Sequence, residues 1–369
     1  MQVTLSPSLL GSCLRDLTAI IPSHPSSPIL GSSLVTADEQ GIWFWGTDLD
    51  VSGRFRVEGS VLRSGKAALP ARRLADIVRQ LPGDEMTLDV GDNKAEVRCG
   101  RSRFVMPVMN ADDFPVFPRM ENADRVVFPS SALARLVDGT VFCAGREESR
   151  PGLNSVLWEM KDDASLMVAT DGRRLALMEL KLKDPTRMER KFILPPKALN
   201  QIVRLAGSAE NVTVGLGERF VSFELPQAAL YTRELDVSYP VYGTVIPKET
   251  RLEMTVGREA LTGALRRATI FAMPLTSQIR LVIDVGKLVL HAECPEVGEA
   301  TEELDVSYEG ESFEIGFNGK YLLDILSHIL SERVVFKMNA PLKAALVVPE
   351  QAQEGESYTC LLMPLRLNE

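Results

Sequence analysis

The sequence predicts an α+β fold built from three repeated units, each combining helices with antiparallel strands. Three observations carry this: one spacing shared by unrelated motifs, one internal order of helix and strand signals, and polar boundaries without low-complexity linkers. Self-similarity at a long fixed period marks a repeat architecture. Leu69-Pro-Ala-Arg-Arg-Leu-Ala-Asp-Ile-Val-Arg-Gln-Leu81 returns as Leu194-Pro-Pro-Lys-Ala-Leu-Asn-Gln-Ile-Val-Arg-Leu205, and more loosely as Phe317-Asn-Gly-Lys-Tyr-Leu-Leu-Asp-Ile-Leu-Ser-His-Ile329. The Ile-Val-Arg triplets at 77 and 202 lie 125 residues apart, and Thr47-Asp48 and Thr170-Asp171 lie 123 apart. Phe114-Pro115 and Tyr239-Pro240 again differ by 125.

Each unit opens with a helical segment, at 7–21, 129–143 and 258–271. Stretches of period two follow, such as 41–46, 165–169 and 287–291, whose alternation and β-branched content predict strands. A second helix starts at Pro70, Pro195 or Gly319, proline being suited to a first helical turn. Further strands, for example 86–90 and 212–216, close the unit. The polar stretches 119–124 and 247–253 set the domains at 1–120, 121–249 and 250–369.

A chain of 369 residues suits two or three domains. With 45% hydrophobic and 25% charged residues it has the balance of a soluble globular protein. No apolar run approaches the roughly 18 residues that span a bilayer, and the N-terminus lacks the pattern of a signal peptide. A cytoplasmic location is expected, with no membrane partner. The cysteines, Cys13, Cys99, Cys143, Cys294 and Cys360, are scattered without a CxxC pair, as are His24, His291 and His328. Neither a disulfide framework, a metal site nor a cofactor is expected.

A net charge of −9 by itself argues against nucleic acid as a partner. The distribution argues otherwise. The segments 70–82, 195–207 and 257–272 each carry +2, and the other three predicted helices carry none. The helices therefore hold +6 and the strands and loops −15. One reading is that Arg and Lys favour helices and solvated faces. The other is a set of helices that meets phosphates without regard to sequence, on a scaffold whose acidic exterior repels DNA elsewhere.

Ala169-Thr-Asp-Gly-Arg-Arg-Leu-Ala176, Gly316-Phe-Asn-Gly-Lys-Tyr321 and Leu362-Met-Pro-Leu-Arg-Leu367 resemble signatures of the bacterial DNA polymerase III β subunit family, the sliding clamps. Pro28-Ile-Leu30 and Gly46-Thr-Asp-Leu49 add to the resemblance, which spans the whole chain in order. Ser331-Glu-Arg-Val and the two residues after Leu367 are similar to actinobacterial members. The resemblance implies the DNA clamp fold, a head-to-tail dimer forming a six-domain ring, and helices on its inner wall. It also implies a non-enzymatic processivity factor whose partners are double-stranded DNA, a clamp loader, and polymerases and repair proteins bound through short linear motifs.

Carried onto matching positions, the family's peptide-binding groove would comprise Leu153, Thr170, Gly172, Arg174 and Leu175 from the second domain. Pro240, Thr244, Val245 and Thr276 would lie along the junction. Asn318, Tyr321, Leu342, Met363, Pro364, Leu365, Arg366 and Leu367 would come from the third. Apolar walls suit apolar anchors, methionine adapts to varied shapes, and Arg174 or Tyr321 is placed to orient a peptide. Without the resemblance, 363–367 also reads as a final edge strand. Two departures stand out: Thr244 replaces a frequent arginine, and the loop 272–277 lacks an aromatic.

DNA contacts are expected from His24, from Arg146 and Arg150 in the loop after the domain-two helix, and from Arg72, Arg73, Arg79, Lys197, Arg204, Arg266 and Arg267 on the helices. The dimer contact is expected to set Arg98, Arg103, Phe104 and Met106 against Ile270, Phe271, Glu299 and Glu302. Opposite charges framing apolar patches suit a specific interface.

Three other readings stand beside this one. An enzyme finds little support, for there is no GxxxxGK[ST], HExxH, GxSxG or dinucleotide loop. Asp171 recurs as Asp48 and so reads as a turn residue. A monomeric peptide-binding scaffold would keep the groove and lose the ring. A specialised second clamp copy would use its altered groove to change partners or resist groove-directed inhibitors.

Overall fold

The computed structural model describes residues 1–118, 120, 123–147, 149–182, 188–207 and 209–367. The boundary expected at 121 and part of the stretch 119–124 lie outside the described residues. Among the described residues six helices follow the order of the repeats: α1 (Pro7–Ile20), α2 (Ala71–Arg79), α3 (Ser130–Asp138), α4 (Pro196–Ala206), α5 (Arg258–Ala268) and α6 (Gly319–His328). Each repeat thus gives two helices, the first entered directly from a strand.

The chain forms two compact units, Met1–Leu133 with Lys197–Glu234, and Ala134–Pro196 with Leu235–Glu369. The middle repeat is divided between them. The reason lies in strand pairing. In the first unit an eight-stranded antiparallel sheet continues from the first repeat into the second where Val51–Val57 pairs with Ala228–Arg233. In the second unit a twelve-stranded sheet makes the same crossing where Arg174–Lys181 pairs with Glu356–Leu362. Backbone hydrogen bonds across each junction leave no sheet edge there to attract a foreign strand.

A separate five-stranded sheet in the first unit ends on the strand Ser102–Pro107. Helix α1 packs on the eight-stranded sheet, against the strands Gly41–Thr47 and Val51–Val57, and its Leu10, Leu14 and Leu17 are fully buried. Their i, i+4, i+7 spacing forms one apolar stripe, and each burial contributes about 1.5–3 kcal/mol. In the second unit α5 buries Leu261, Ala264 and Leu265 against the strands Lys287–Cys294 and Gly298–Ser307.

Two predicted helices run short. The segment 129–143 stops at Asp138 and resumes as a single turn, Val141–Cys143, because Gly139 breaks the run and Thr140 turns its hydroxyl back onto the Leu136 carbonyl. The segment 258–271 likewise stops at Ala268 before a tight turn at Thr269–Phe271. The final strand ends at Leu362, so residues 363–367 do not extend it as an edge strand. They leave the sheet, and Leu365 bridges back to Gly316.

Among the described residues no helix is long and apolar enough to cross a membrane, and no cluster of three or more His, Cys, Asp or Glu side chains forms a metal site.

Candidate functional site

The second unit carries a groove at its repeat junction, and the turn 170–174 organises it. Thr170 Oγ1 accepts from Gly172 N at 3.0 Å, and Asp171 Oδ1 accepts from Arg173 N and Arg174 N at 2.8 and 2.9 Å. Gly172 sits at φ +84°, a left-handed conformation that costs glycine nothing. The turn hands the chain into the strand with Arg174 pointing inward.

Arg174 is nearly buried, and each of its side-chain nitrogens has an acceptor. Nε donates to Asp171 at 3.2 Å, Nη1 to Asp324 at 2.7 Å and Nη2 to the Phe142 carbonyl at 2.8 Å. Its guanidinium also lies 4.3 Å from the Tyr321 ring centroid and 5.5 Å from that of Phe142. The arginine is a bolt between the second and third repeats. Behind it, burial drives the Cys143 thiol well above its usual range and pushes Cys360 up to about 12. Burial likewise raises Tyr239, whose hydroxyl donates to the Val168 carbonyl at 2.8 Å.

Leu175 belongs to an apolar cluster with Leu157, Leu166, Val168, Leu346 and Leu361, against which Tyr239, Tyr242 and Ile246 pack. Asn318 caps α6 by accepting from the backbone of Lys320 and Tyr321, and its amide donates to the Thr276 carbonyl at 2.9 Å. The tail is fixed by Met363 N donating to the Arg173 carbonyl at 2.8 Å and Gln278 donating to the Arg366 carbonyl at 3.2 Å. Gly316 makes this possible, since a Cβ there would meet Leu367 Cδ2 at 2.7 Å. Pro240 approaches Gly152, and Pro364 continues the tail beyond Met363. Val245, Leu342 and Met363 stay exposed, as does Leu275 at 93%. Thr244 closes its own turn on the Val241 carbonyl at 2.8 Å.

A cavity of about 510 Å³ opens here, lined by Leu153, Arg173, Arg174, Tyr321 and Asp324 among others. Arg146 and Arg150, expected on the DNA side, line the same cavity. The sequence separated two sets of residues that the fold brings together.

The remaining DNA candidates divide by what they touch. Lys197 donates to Asp48 and, at 2.8 Å, to the Ile20 carbonyl. Arg204 pairs with Asp16 at 3.3 Å, and Arg72 donates to the Ile21 carbonyl at 3.0 Å. Arg79 lies 3.5 Å from Asp76, and Arg267 makes two bonds to Glu302 at 2.7 and 2.5 Å. Arg73, Arg266 and His24 are exposed and have no ion pair among the described residues.

On the expected dimer faces, Arg98 and Arg103 both bind Glu96 of their own chain. Arg103 and then Arg98 hold that carboxyl well below the usual range, at about 2. Met106 is only 2% exposed and faces its own core, so it has no surface to offer a second chain. Alternation along the strand turns Val105 outward instead, a one-residue register that the sequence reading missed. Phe104 and Phe271 are half-buried, Ile270 and Glu299 are exposed, and Glu302 is held by Arg267.

Three helix-and-sheet repeats joined through shared sheets constitute the three-domain DNA clamp fold. Family models for the N-terminal, central and C-terminal domains of the DNA polymerase III β subunit match residues 1–118, 127–241 and 243–366. The β sliding clamp of Caulobacter vibrioides is 32% identical over 375 residues, and that of Pseudomonas aeruginosa 31% over 371, with all of both chains covered. A solved Pseudomonas aeruginosa clamp bound to griselimycin superposes with a TM-score of 0.93 at 30% identity, both chains covered in full. The Bacillus subtilis clamp gives 0.94 at 25%, again over both whole chains. The chain belongs to the DNA polymerase III β subunit family, the sliding clamps of bacterial DNA replication.

Proposed function

We propose that this clamp encircles duplex DNA as a head-to-tail dimer and tethers polymerases, loader and repair proteins through the groove of the second unit. What supports this reading is the junction of the second unit, where a cavity lined by Leu153 and Tyr321 lies beside a turn and a tail that hydrogen bonds hold in place, with Leu342 and Met363 left exposed. A rigid apolar groove is the form that short-motif recognition takes. Three domains, 1–120, 121–249 and 250–369, would each contribute helices to the ring's inner wall. Arg73 and Arg266, having no ion pair among the described residues, are the better phosphate contacts there. Lys197, Arg204 and Arg267 would have to exchange an internal carboxylate for a phosphate. The protein works in the cytoplasm and carries no catalytic residues of its own.

The test is molar mass by light scattering, then retention on circular and linearised DNA with the matching loader and ATP. A dimer that stays on circles and slides off linear ends is the expected result. A monomer, or equal loss from both DNAs, would overturn the ring and leave a peptide-binding scaffold.

A further inference from the structure

Helix α1 covers one face of the first unit's eight-stranded sheet, and the opposite face carries a different chemistry. A Cβ on Gly46 or Gly53 would run into Leu17 or Ile20 of α1, so those positions face the helix. By the alternation of a strand, Trp45 and Arg54 face away from it. On that far face Trp43 stands across from Arg56, and Trp45 across from Arg54. The Arg54 guanidinium lies over both indoles, 5.1 and 5.6 Å from the ring centroids. Its Nε is buried without a hydrogen-bond partner, the one charged group so placed among the described residues. Neither Arg54 nor Arg56 has an ion pair among those residues. Glu224, the carboxylate in the same cross-strand row as Arg54, is taken by Arg125.

The matching face of the second unit shows how the fold can close this surface. There Leu166, Val168, Leu177 and Glu179 stand 123 residues on from Trp43, Trp45, Arg54 and Arg56, in the same cross-strand pairs. Leu166 and Val168 belong to an apolar cluster against which Tyr239, Tyr242 and Ile246 pack, and Glu179 is paired with Lys161. In the first unit the connector sets Phe117 on Trp45, with ring centroids 4.6 Å apart, and leaves Arg54 half-buried and Arg56 exposed. One unit seals this face with its own chain. The other keeps two arginines on it without a counter-ion.

We propose that this face of the first unit docks an extended acidic segment of a partner protein, whose carboxylates two residues apart pair with Arg54 and Arg56. Charge complementarity argues for the occupant, and spacing for its form. Two positions on one face of a strand lie about 7 Å apart, which an extended acid-x-acid segment reproduces. A guanidinium takes a carboxylate through two nitrogens, and the indoles that hold Arg54 reduce the freedom it loses on binding. Nucleic acid fits worse on two counts. Arg54 already covers the indole faces on which bases would stack. The segment 32–58 also carries five carboxylates against these two arginines, which repels a run of phosphates. Exposed ion pairs are individually weak and screened by salt, so the pairing changes affinity about three- to tenfold at low ionic strength.

The experiment follows the full-length protein by fluorine NMR after its tryptophans are replaced by 5-fluorotryptophan. Trp43 and Trp45 report on the face, and Trp158, fully buried in the second unit, is the internal control. Trp43→Phe and Trp45→Phe assign the signals. The probes are the end-blocked peptide Gly-Ser-Glu-Ser-Glu-Ser-Gly, its copy with Gln for both Glu, and hexathymidylate. The acidic peptide is expected to move the Trp43 and Trp45 signals saturably and to leave Trp158 in place. The Gln copy should bind about three- to tenfold more weakly, as should the acidic peptide on Arg54→Gln combined with Arg56→Gln, and high salt should close the gap. Unmoved Trp43 and Trp45 signals, equal affinities for acid and amide, or unchanged affinity in the double variant each overturn the proposal. Tighter binding of hexathymidylate than of the acidic peptide makes this a nucleic-acid face and overturns it too. If the double variant loses its native Trp158 signal, the acid-to-amide ratio on the unaltered protein decides alone.

Discussion

At Thr47 and at Thr170 the chain makes the same turn. Leu49 N donates to Thr47 Oγ1 at 2.9 Å as Gly172 N does to Thr170 Oγ1 at 3.0 Å. Asp48 accepts from Val51 N at 2.7 Å as Asp171 accepts from Arg174 N at 2.9 Å. Leu49 and Gly172 even share a φ of +84°. Each turn then leads a strand across a repeat junction. The side chains differ: Leu49, Asp50 and Val51 in the first unit, Gly172, Arg173 and Arg174 in the second. Backbone geometry is therefore set by the Thr-Asp pair, and the three residues after it decide what the junction can do. In the first unit Val51 is simply buried, at 1% exposure, whereas Arg174 ties two repeats together.

That contrast predicts the largest effect. Arg174→Met leaves the largely buried Asp171 carboxylate and the Phe142 carbonyl without their donor, and breaking such a buried pair costs about 3 kcal/mol. Val51→Ala, at the matching place, removes only buried carbon and costs about 2 kcal/mol. Urea unfolding, followed in the second unit for Arg174→Met and in the first unit for Val51→Ala, measures both. A smaller loss for Arg174→Met than for Val51→Ala would mean that the bolt holds nothing. At the far end of the same strand pair the buried Glu356 accepts two bonds from Arg135 of α3, at 2.9 and 2.7 Å. Glu356→Gln keeps the shape and loses the charge, at a cost of about 2 kcal/mol by the same measurement.

How much of this was legible in sequence follows from what each feature depends on. The repeats are readable because Thr-Asp, Ile-Val-Arg and the Phe/Tyr-Pro pairs keep spacings of 123 or 125 residues whatever their surroundings. Ion-pair partners were not. Arg135 and Glu356 are 221 residues apart and Arg174 and Asp324 150 apart, and no local pattern announces either pair. Arg174 enters the groove set through the family resemblance; its three internal acceptors are visible only once the chain is folded. Met106 was misplaced by the sheet's own rule, since a shift of one residue exchanges core for surface. The shared cavity of Arg146, Arg150 and Arg173 was hidden for the same reason as the ion pairs.

The thiols behind the second junction sharpen the comparison at lower cost. Burial raises Cys360 from an ordinary 9.0 to about 12, so its contribution to stability is full below pH 9 and is lost as pH rises toward 12. Native protein should resist maleimide labelling at Cys360 for hours, and Arg174→Met should label faster because its junction opens more often. Prompt labelling of the unaltered protein would show that this junction is no tighter than an ordinary surface.

The smallest effects separate shape from charge. Leu49 holds a left-handed conformation that costs an L-residue about 1 kcal/mol, and its side chain is 55% exposed, so little burial offsets the strain. Leu49→Gly removes the strain and adds unfolded-state freedom of about the same size, leaving the unfolding midpoint nearly unchanged. Gly172→Leu runs the other way. It imports the strain, about 1 kcal/mol, and sets a side chain over the cavity, since even a Cβ there lies 3.7 Å from Leu153 Cδ1. Peptide affinity should fall although no charge has changed. If Gly172→Leu binds peptides as well as the unaltered protein, the open glycine is irrelevant, and the difference between the two junctions reduces to Arg173, Arg174 and Lys320.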